Sequence, residues 1–121
     1  MAYKTAEDLA EPSMSIIISA GDGRKVAFDA IEALAAADYA KAGALLEVAQ
    51  NNFRDAHRVH TECIQAAASE EFPYSVLFTH AEDTLMTAEA QFRLIKKLLP
   101  VFENLDRRLA AVEAAVAAGG N

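Results

Sequence analysis

The chain has 121 residues, of which 53% are apolar and 24% are charged, and its formal net charge is −7. Ala supplies 27 of the 64 apolar residues, which favours closely packed helices because Ala is a strong helix former and a poor core filler. The acidic balance argues against binding to duplex nucleic acid, which needs a basic surface. No apolar stretch approaches the ~20 residues that span a bilayer, and the single Cys63 cannot form an internal disulfide. We therefore expect a cytoplasmic protein without membrane insertion.

The N-terminal third predicts a flexible segment followed by one helix. Residues 1–12 are polar, end at Pro12, and are expected to be flexible. A first helix is predicted from about Ser13 to Ala36, and Gly21 and Gly23 within it indicate a close approach of another helix or a local break. Its predicted buried face recurs at steps of three and four: Met14, Ile17, Ala20, Arg24, Ala27, Ile31 and Leu34.

A second helix is predicted to begin after Asp38, which is a favourable N-cap residue. Its predicted seam comprises Ala42, Leu45, Ala49, Asn52, Ala56, Val59, Cys63 and Ala66, with Leu46, Phe53 and His60 beside it. Residues 68–74, which include Glu70 and Pro73, are interpreted as the next turn.

A third helix is predicted from about Tyr74 to Leu99, and Pro100 is expected to end or kink it. Its seam repeats at steps of 3, 4, 3, 4, 3, 4: Phe78, Ala81, Leu85, Ala88, Phe92, Ile95 and Leu99. Residues 101–118 carry a narrow apolar stripe that predicts a short fourth, C-terminal helix. The fold class is therefore all-α, an antiparallel three-helix bundle over residues 13–99 with a C-terminal extension over residues 100–121.

The third helix has a second face, which is apolar at both ends and polar in the middle. It comprises Val76, His80, Asp83, Thr87, Ala90 and Leu94. A helix with two such faces packs against two sets of neighbours, and only three main helices are available, so we expect a homo-oligomer. The remaining face, with Glu82, Met86, Glu89 and Arg93, is predicted to face solvent and to contain a Glu89–Arg93 ion pair.

His80 and Asp83 are three residues apart, so on a helix they project from the same side. One interpretation is a polar pair at an interface, with Asp83 holding the His80 ring. The other is a functional His80 that acts as a nucleophile or a ligand, because a neutral imidazole is available near pH 7. A metal site of His57, His60 and Cys63 is not expected, since Cys63 follows His57 by six residues, about 240° of rotation round the helix, and their side chains do not converge.

Three ordered motifs resemble one bacterial family. The run FTHAEDTLMTA at residues 78–88 resembles the His-Ala-Gln-Asp-His-Leu-Met signature of the IIA component of the sugar phosphotransferase system, lactose/cellobiose (diacetylchitobiose) type. AGDGR at residues 20–24 is similar to that family's Ala-Gly-Asp-Ala-Arg, and AHRVHT at residues 56–61 to its Ala-His-x-x-Gln-Thr. Asp38-Tyr39 also resembles the family's entry to the second helix, and the resemblance covers about residues 13–99.

The resemblance implies a homotrimer of three-helix protomers that carries a phosphoryl group. His80 would accept phosphate from the phosphohistidine of the general carrier HPr and pass it to a cysteine of the cognate IIB component. The membrane component IIC would couple the final transfer to disaccharide uptake. The resemblance also implies that Asp83 from three copies holds one cation, Mg²⁺ or a similar ion, near the trimer axis. The alternative is a non-catalytic trimeric interaction or regulatory module of the same family.

The sequence departs from the family pattern at three positions. Glu82 and His60 each replace a Gln, and Thr84 replaces a second His. These departures leave His80 and Asp83 intact. His57 matches the pattern and either lines the site or is simply solvated.

Two residues of the first helical motif also leave alternatives open. Asp22 and Arg24 either contact His80 across the bundle or pair with each other.

Overall fold

The computed structural model describes residues 3–69 and 71–120, and they form an antiparallel three-helix bundle. A short 3-10 helix, Glu7–Leu9, leads into three α-helices: α1 (Ala10–Ala35), α2 (Tyr39–Ser69) and α3 (Val76–Gly119). Each α-helix packs against the other two. The described residues contain no strand, which confirms the all-α prediction.

The two connections between helices are set by capping side chains. Asp38 caps α2 as predicted, since its Oδ1 accepts a hydrogen bond from the Lys41 backbone N–H at 3.1 Å. Just before it, Ala37 adopts a left-handed conformation with φ of 57° and reverses the chain. Ser75 caps α3 by accepting a hydrogen bond from the Phe78 N–H at 3.1 Å. Such caps satisfy backbone donors that have no partner inside the helix.

The predicted seam of α3 is confirmed. Phe78, Ala81, Leu85, Ala88, Phe92 and Ile95 are all buried, and Leu99 is partly buried against them. In α2, Leu46 and Phe53 belong to the buried face rather than lying beside it, while Leu45 and Val59 occupy its edge.

The predicted face of α1 is correct at Ala20 and Ala27 and is displaced by about one residue at the other positions. Its buried residues are Ser13, Ile16, Ala20, Gly23, Ala27, Ala30 and Ala33, whereas Met14 and Ile31 are 43% and 45% exposed. Because residues 16–18 are three consecutive Ile residues, the apolar pattern does not indicate which of them faces the core. The small residues mark the true face because they let two other helices approach closely.

The close approach predicted within α1 is confirmed at Gly23. A Cβ atom placed there would lie 2.9 Å from two carbon atoms of the Phe53 ring. That ring packs in turn on Phe92, with centroids 5.1 Å apart. Gly23 therefore lets an aromatic side chain of α2 pass between α1 and α3, and α1 continues without the break considered above.

The N-terminal segment differs from its prediction. α1 begins at Ala10, three residues earlier than expected. Leu9 is fully buried. Tyr3 is also buried, and its ring packs edge-on against the Phe72 ring with centroids 6.0 Å apart. These two apolar anchors pack residues 3–9 onto the bundle, where a flexible segment was expected. Residues 1 and 2, Glu70 of the predicted turn and Asn121 of the extension lie outside the described residues.

The prediction of a break at Pro100 and a separate fourth helix is wrong. α3 continues through Pro100 to Gly119, and we call residues 100–119 the arm. Proline removes one backbone donor, but the neighbouring Leu, Glu, Arg and Ala residues favour helix strongly enough to continue it.

Among residues 3–69 and 71–120, the hydrogen bond that joins the arm to the bundle lies at the base of the arm. The Tyr39 hydroxyl donates to the Phe102 carbonyl at 3.4 Å, and every residue from 104 to 120 is exposed. Within the described ranges, no helix combines the length and the apolar character that crossing a membrane requires.

Candidate functional site

The three histidines have different environments. His57 Nε2 is hydrogen-bonded to the Glu89 carboxylate, and His60 Nε2 to the Glu82 carboxylate at 2.8 Å. His80 is exposed, and its ring makes no hydrogen bond or ion pair with any residue in 3–69 or 71–120. His80 is thus the histidine that a docking molecule could reach without first breaking a side-chain contact.

Threonine side chains hydrogen-bond to the backbone at His80 and Asp83, whereas the His80 ring has no such partner among the described residues. Thr84 Oγ1 donates to the His80 carbonyl at 2.8 Å, and Thr87 Oγ1 donates to the Asp83 carbonyl. Both threonines therefore satisfy their hydroxyls one turn back along the helix, as Thr commonly does. The His80 ring and the Asp83 carboxylate are exposed to solvent on this turn of α3.

Asp83 is exposed on the same side of α3 as His80, as predicted. The structure shows no hydrogen bond between the two side chains, so Asp83 does not hold the His80 ring within the described chain. No group of three His, Cys, Asp or Glu residues converges on a metal position in the part of the chain that is described. One chain supplies a single hard oxygen donor here, and a complete cation site would need carboxylates from further copies.

Two of the departures from the family pattern contact each other. His60 lies on α2 and Glu82 on α3, and their side chains are 12% and 34% exposed. The His60 ring also lies nearly parallel to the Phe78 ring, with centroids 6.1 Å apart and 19° between planes. Glu82 is therefore directed towards α2, and its added negative charge has a nearby imidazole partner.

Glu89 corrects the prediction for the third face of α3. The predicted ion pair with Arg93 is confirmed, but Glu89 is buried rather than solvent-facing. His57 approaches it from α2, so the carboxylate lies between two basic side chains. Burying a carboxylate is tolerated when partners of this kind satisfy it. Sequence spacing revealed only the Arg93 contact, because the His57 contact joins residues 32 positions apart.

His57 is therefore hydrogen-bonded to Glu89 rather than simply solvated. It borders a cavity of about 680 Å³ whose wall also includes Arg54, Lys96 and Lys97. Glu89 lines the same cavity, so its carboxylate shares this space with the basic side chains. The sequence offered no periodic signal for this cavity, since its lining is divided between α2 and α3.

The remaining candidates do not join the site. Neither Asp22 nor Arg24 forms an ion pair with the other or a hydrogen bond with His80 among the described residues. Cys63 is fully buried, and burial raises the pKa of its thiol, which disfavours the reactive thiolate.

Comparison with known proteins places these features in one family. The family model for the lactose/cellobiose-specific IIA subunit of the phosphotransferase system matches residues 11–103. The N,N'-diacetylchitobiose-specific EIIA component of Escherichia coli K12 is 34% identical over 101 residues, covering 83% of this chain and 87% of that relative. The lactose-specific EIIA component of Staphylococcus aureus N315 is 37% identical over 89 residues, covering 73% and 86%.

Solved structures agree with the sequence relatives. The cellobiose-specific enzyme IIA of Bacillus anthracis superimposes with a TM-score of 0.74 at 28% identity, covering 80% of this chain and 90% of that one. PtcA of S. mutans superimposes with a TM-score of 0.76 at 26% identity, covering 80% and 96%. The family match covers α1 from residue 11, the whole of α2, and α3 as far as residue 103, including the turn that carries His80. The chain therefore belongs to the lactose/cellobiose-specific IIA family of the sugar phosphotransferase system.

Proposed function

We propose that this chain is a phosphoryl carrier that accepts phosphate on His80 from phospho-HPr and passes it to a cysteine of the cognate IIB component. The observation that carries the proposal is the contrast among the histidines. His57 and His60 are hydrogen-bonded to carboxylates, whereas the His80 ring is exposed on α3. A carrier residue must be reached by two different partners in turn, and the position of His80 meets that requirement.

The proposed chemistry consists of two phosphoryl transfers. In the first, a ring nitrogen of His80 attacks the phosphorus of the donor's phosphohistidine, the donor N–P bond breaks, and the donor imidazole leaves. In the second, the IIB thiolate attacks phosphorus, the His80 N–P bond breaks, and the His80 imidazole is regenerated. Such transfers depend on in-line positioning and charge stabilisation rather than on further covalent chemistry from the protein. The cytoplasm is the compartment in which this route would operate.

We also propose that three copies of the chain assemble with their Asp83 carboxylates around one Mg²⁺ or similar cation. Carboxylate oxygen is a hard donor that suits such a cation, and Asp83 is exposed and available to other copies. Facing carboxylates repel one another unless they bind a cation or take up protons. The cation would offset this repulsion between the three carboxylates.

The surface charge supports transient docking with other components of the system. At a net charge of −7, the chain presents an acidic field that speeds encounters with basic surfaces on HPr or IIB. The membrane component IIC would be served indirectly, through IIB.

The proposal is tested with two histidine substitutions. The purified chain is incubated with phosphoenolpyruvate, enzyme I and HPr, and the acid-labile adduct is located by mass mapping. We expect His80→Ala to abolish phosphate incorporation, because the accepting nitrogen is gone. His60→Gln is the control: it restores the family residue at a histidine outside the transfer route and should retain labelling. Full labelling of His80→Ala would remove this residue from the mechanism.

The cation proposal is tested at Asp83. Asp83→Leu should abolish Mg²⁺ binding measured by calorimetry and leave the trimer at least as stable, because it replaces repelling carboxylates with apolar groups. Sedimentation equilibrium gives the oligomeric state of the same samples. Dissociation of the Asp83→Leu protein to monomers would count against an axial position for this residue.

A further inference from the structure

An apolar stripe runs along α3 from the edge of the bundle into the arm, and nothing in the described chain covers its arm residues. We define the stripe as Leu98, Val101, Leu105, Leu109, Val112 and Val116. Leu98 is partly buried at the edge of the bundle, and the other five are between 48% and 68% exposed. A helical segment that projects into water is marginal by itself and is normally stabilised by packing of its apolar face. We therefore expect the stripe to pack against another helix.

The spacing of the stripe suits a nearly straight helix that packs along its whole length. Its members recur at steps of 3, 4, 4, 3 and 4, so that Leu98, Val101 and Leu105 repeat eleven residues later as Leu109, Val112 and Val116. Eleven residues make three turns at about 3.67 residues per turn, a period that gives a slight right-handed supercoil rather than the left-handed one of a heptad repeat. A partner helix could follow this stripe without either helix winding far around the other.

The same face continues into the bundle. Counting back eleven residues from Leu105 gives Leu94, which is 61% exposed, and a further eleven gives Asp83. At ~100° per residue, these positions and the stripe lie on one side of α3. The arm thus prolongs the face that carries Asp83 by about 30 Å, and an assembly formed by that face would extend along the arm.

The charges beside the stripe indicate what the partner is and how it is oriented. On one side the nearest charged residues are Lys97 and Arg108, and on the other side they are Asp106 and Glu113. In a parallel arrangement of identical helices, the basic side of each helix meets the acidic side of its neighbour. An antiparallel pair would bring like sides together. Flanking charges of this kind set partner choice and orientation in coiled coils.

We propose that the arm is a self-association element, in which copies of this chain pack their α3 stripes side by side and in parallel from Leu98 to Val116. The proposal does not rest on phosphoryl transfer by His80, but its continuity argument rests on the proposed assembly through the face of α3 that carries Asp83. The family match ends at residue 103, so most of the stripe lies beyond it.

Sedimentation equilibrium of the full chain tests the stripe. Leu105→Glu combined with Leu109→Glu places two charges in the proposed interface and should weaken association at least tenfold. Ala110→Glu combined with Ala114→Glu is the matched control, because it adds the same charge on the opposite, exposed side of the arm. Equal association of the two variants, or a monomeric wild-type chain at the same concentrations, would overturn the proposal.

Disulfide cross-linking tests the orientation. In a parallel assembly Val112 lies beside Val112 of the next copy, so Val112→Cys should form a linked dimer under mild oxidation at high dilution. Ala114→Cys, on the outer side, should not, and Cys63 is buried and does not compete. Association through the stripe without a Val112→Cys cross-link would exclude the parallel arrangement.

A charge exchange provides an independent measurement. Arg108 and Glu113 are five residues apart on opposite sides of the stripe, which is a spacing that pairs neighbouring parallel helices. Arg108→Glu should weaken association severalfold, and adding Glu113→Arg should restore it. A double variant as weak as, or weaker than, the single one would contradict pairing between these flanks.

Discussion

The two parts of α3 are built from similar residues but have opposite environments. Residues 76–99 bury Phe78, Leu85 and Phe92 against α1 and α2, whereas the arm buries none of its residues. The difference follows from length. α1 has 26 residues, α2 has 31 and α3 has 44, so α3 at about 66 Å outreaches an α2 of about 46 Å. An apolar helix face is therefore a core only where a neighbour is long enough to cover it.

The largest expected difference between the two parts is in how much a Leu→Ala substitution lowers the free energy of unfolding. Leu85 is fully buried, and Leu85→Ala should lower the free energy of unfolding by about 2–5 kcal/mol. Leu109 is 55% exposed, and Leu109→Ala should change it by less than about 0.5 kcal/mol when the chain is monomeric. Urea denaturation of dilute protein measures both values. Similar losses would mean that the arm is packed on its own bundle.

A smaller effect is expected at two glycines of α1, because Gly23 packs tightly against another side chain and Gly21, two residues earlier, has free space beside it. Gly23→Ala should destabilise the bundle by about 1–3 kcal/mol, because the new methyl group would meet the Phe53 ring at 2.9 Å. Gly21 has nothing within 4 Å of its added Cβ. Gly21→Ala should therefore stabilise the helix by about 0.5–1 kcal/mol. Thermal unfolding of the two variants compares them directly, and a stabilised Gly23→Ala protein would refute the close packing.

The smallest expected effect is a decrease in the free energy of unfolding at high pH, caused by groups that are buried in the bundle. Burial is the main cause that raises the pKa of Tyr3 from 10.0 to about 12 and the pKa of Cys63 above its ordinary 9.0. The unfolded chain loses these protons first, so the folded state binds more protons and its stability falls as pH rises from 9.0 towards 12. Tyr3→Phe should make the decline shallower. Denaturation midpoints across this range measure it, and an identical slope in the two proteins would be evidence against a buried phenol.

The predictability of the fold varied with the size of the side chains that mark each face. The α3 seam was predictable because Phe78, Leu85 and Phe92 are large and regularly spaced. The α1 face was not, because Ala and Gly carry little hydrophobic signal and the Ile run has no phase. Pro100 misled the prediction because its local cost was outweighed by the helix formers around it.

The candidate site was predictable in part for a similar reason. His80 and Asp83 could be located because their motif is local, and the structure confirms that both are exposed on one side of α3. The burial of Glu89 could not be foreseen, because it depends on His57 from another helix. Contacts between helices are fixed by tertiary packing, which a single sequence does not display.

The contact between His60 and Glu82 also bears on how this protein can be recombined with its relatives. A chimaera that takes α2 from a relative with the family's Gln at position 60 would keep the Glu82 carboxylate and lose its imidazole neighbour. The reverse exchange would leave His60 beside an uncharged amide. Segments of α2 and α3 should therefore be transplanted together, since these two substitutions form a unit that neither helix carries alone.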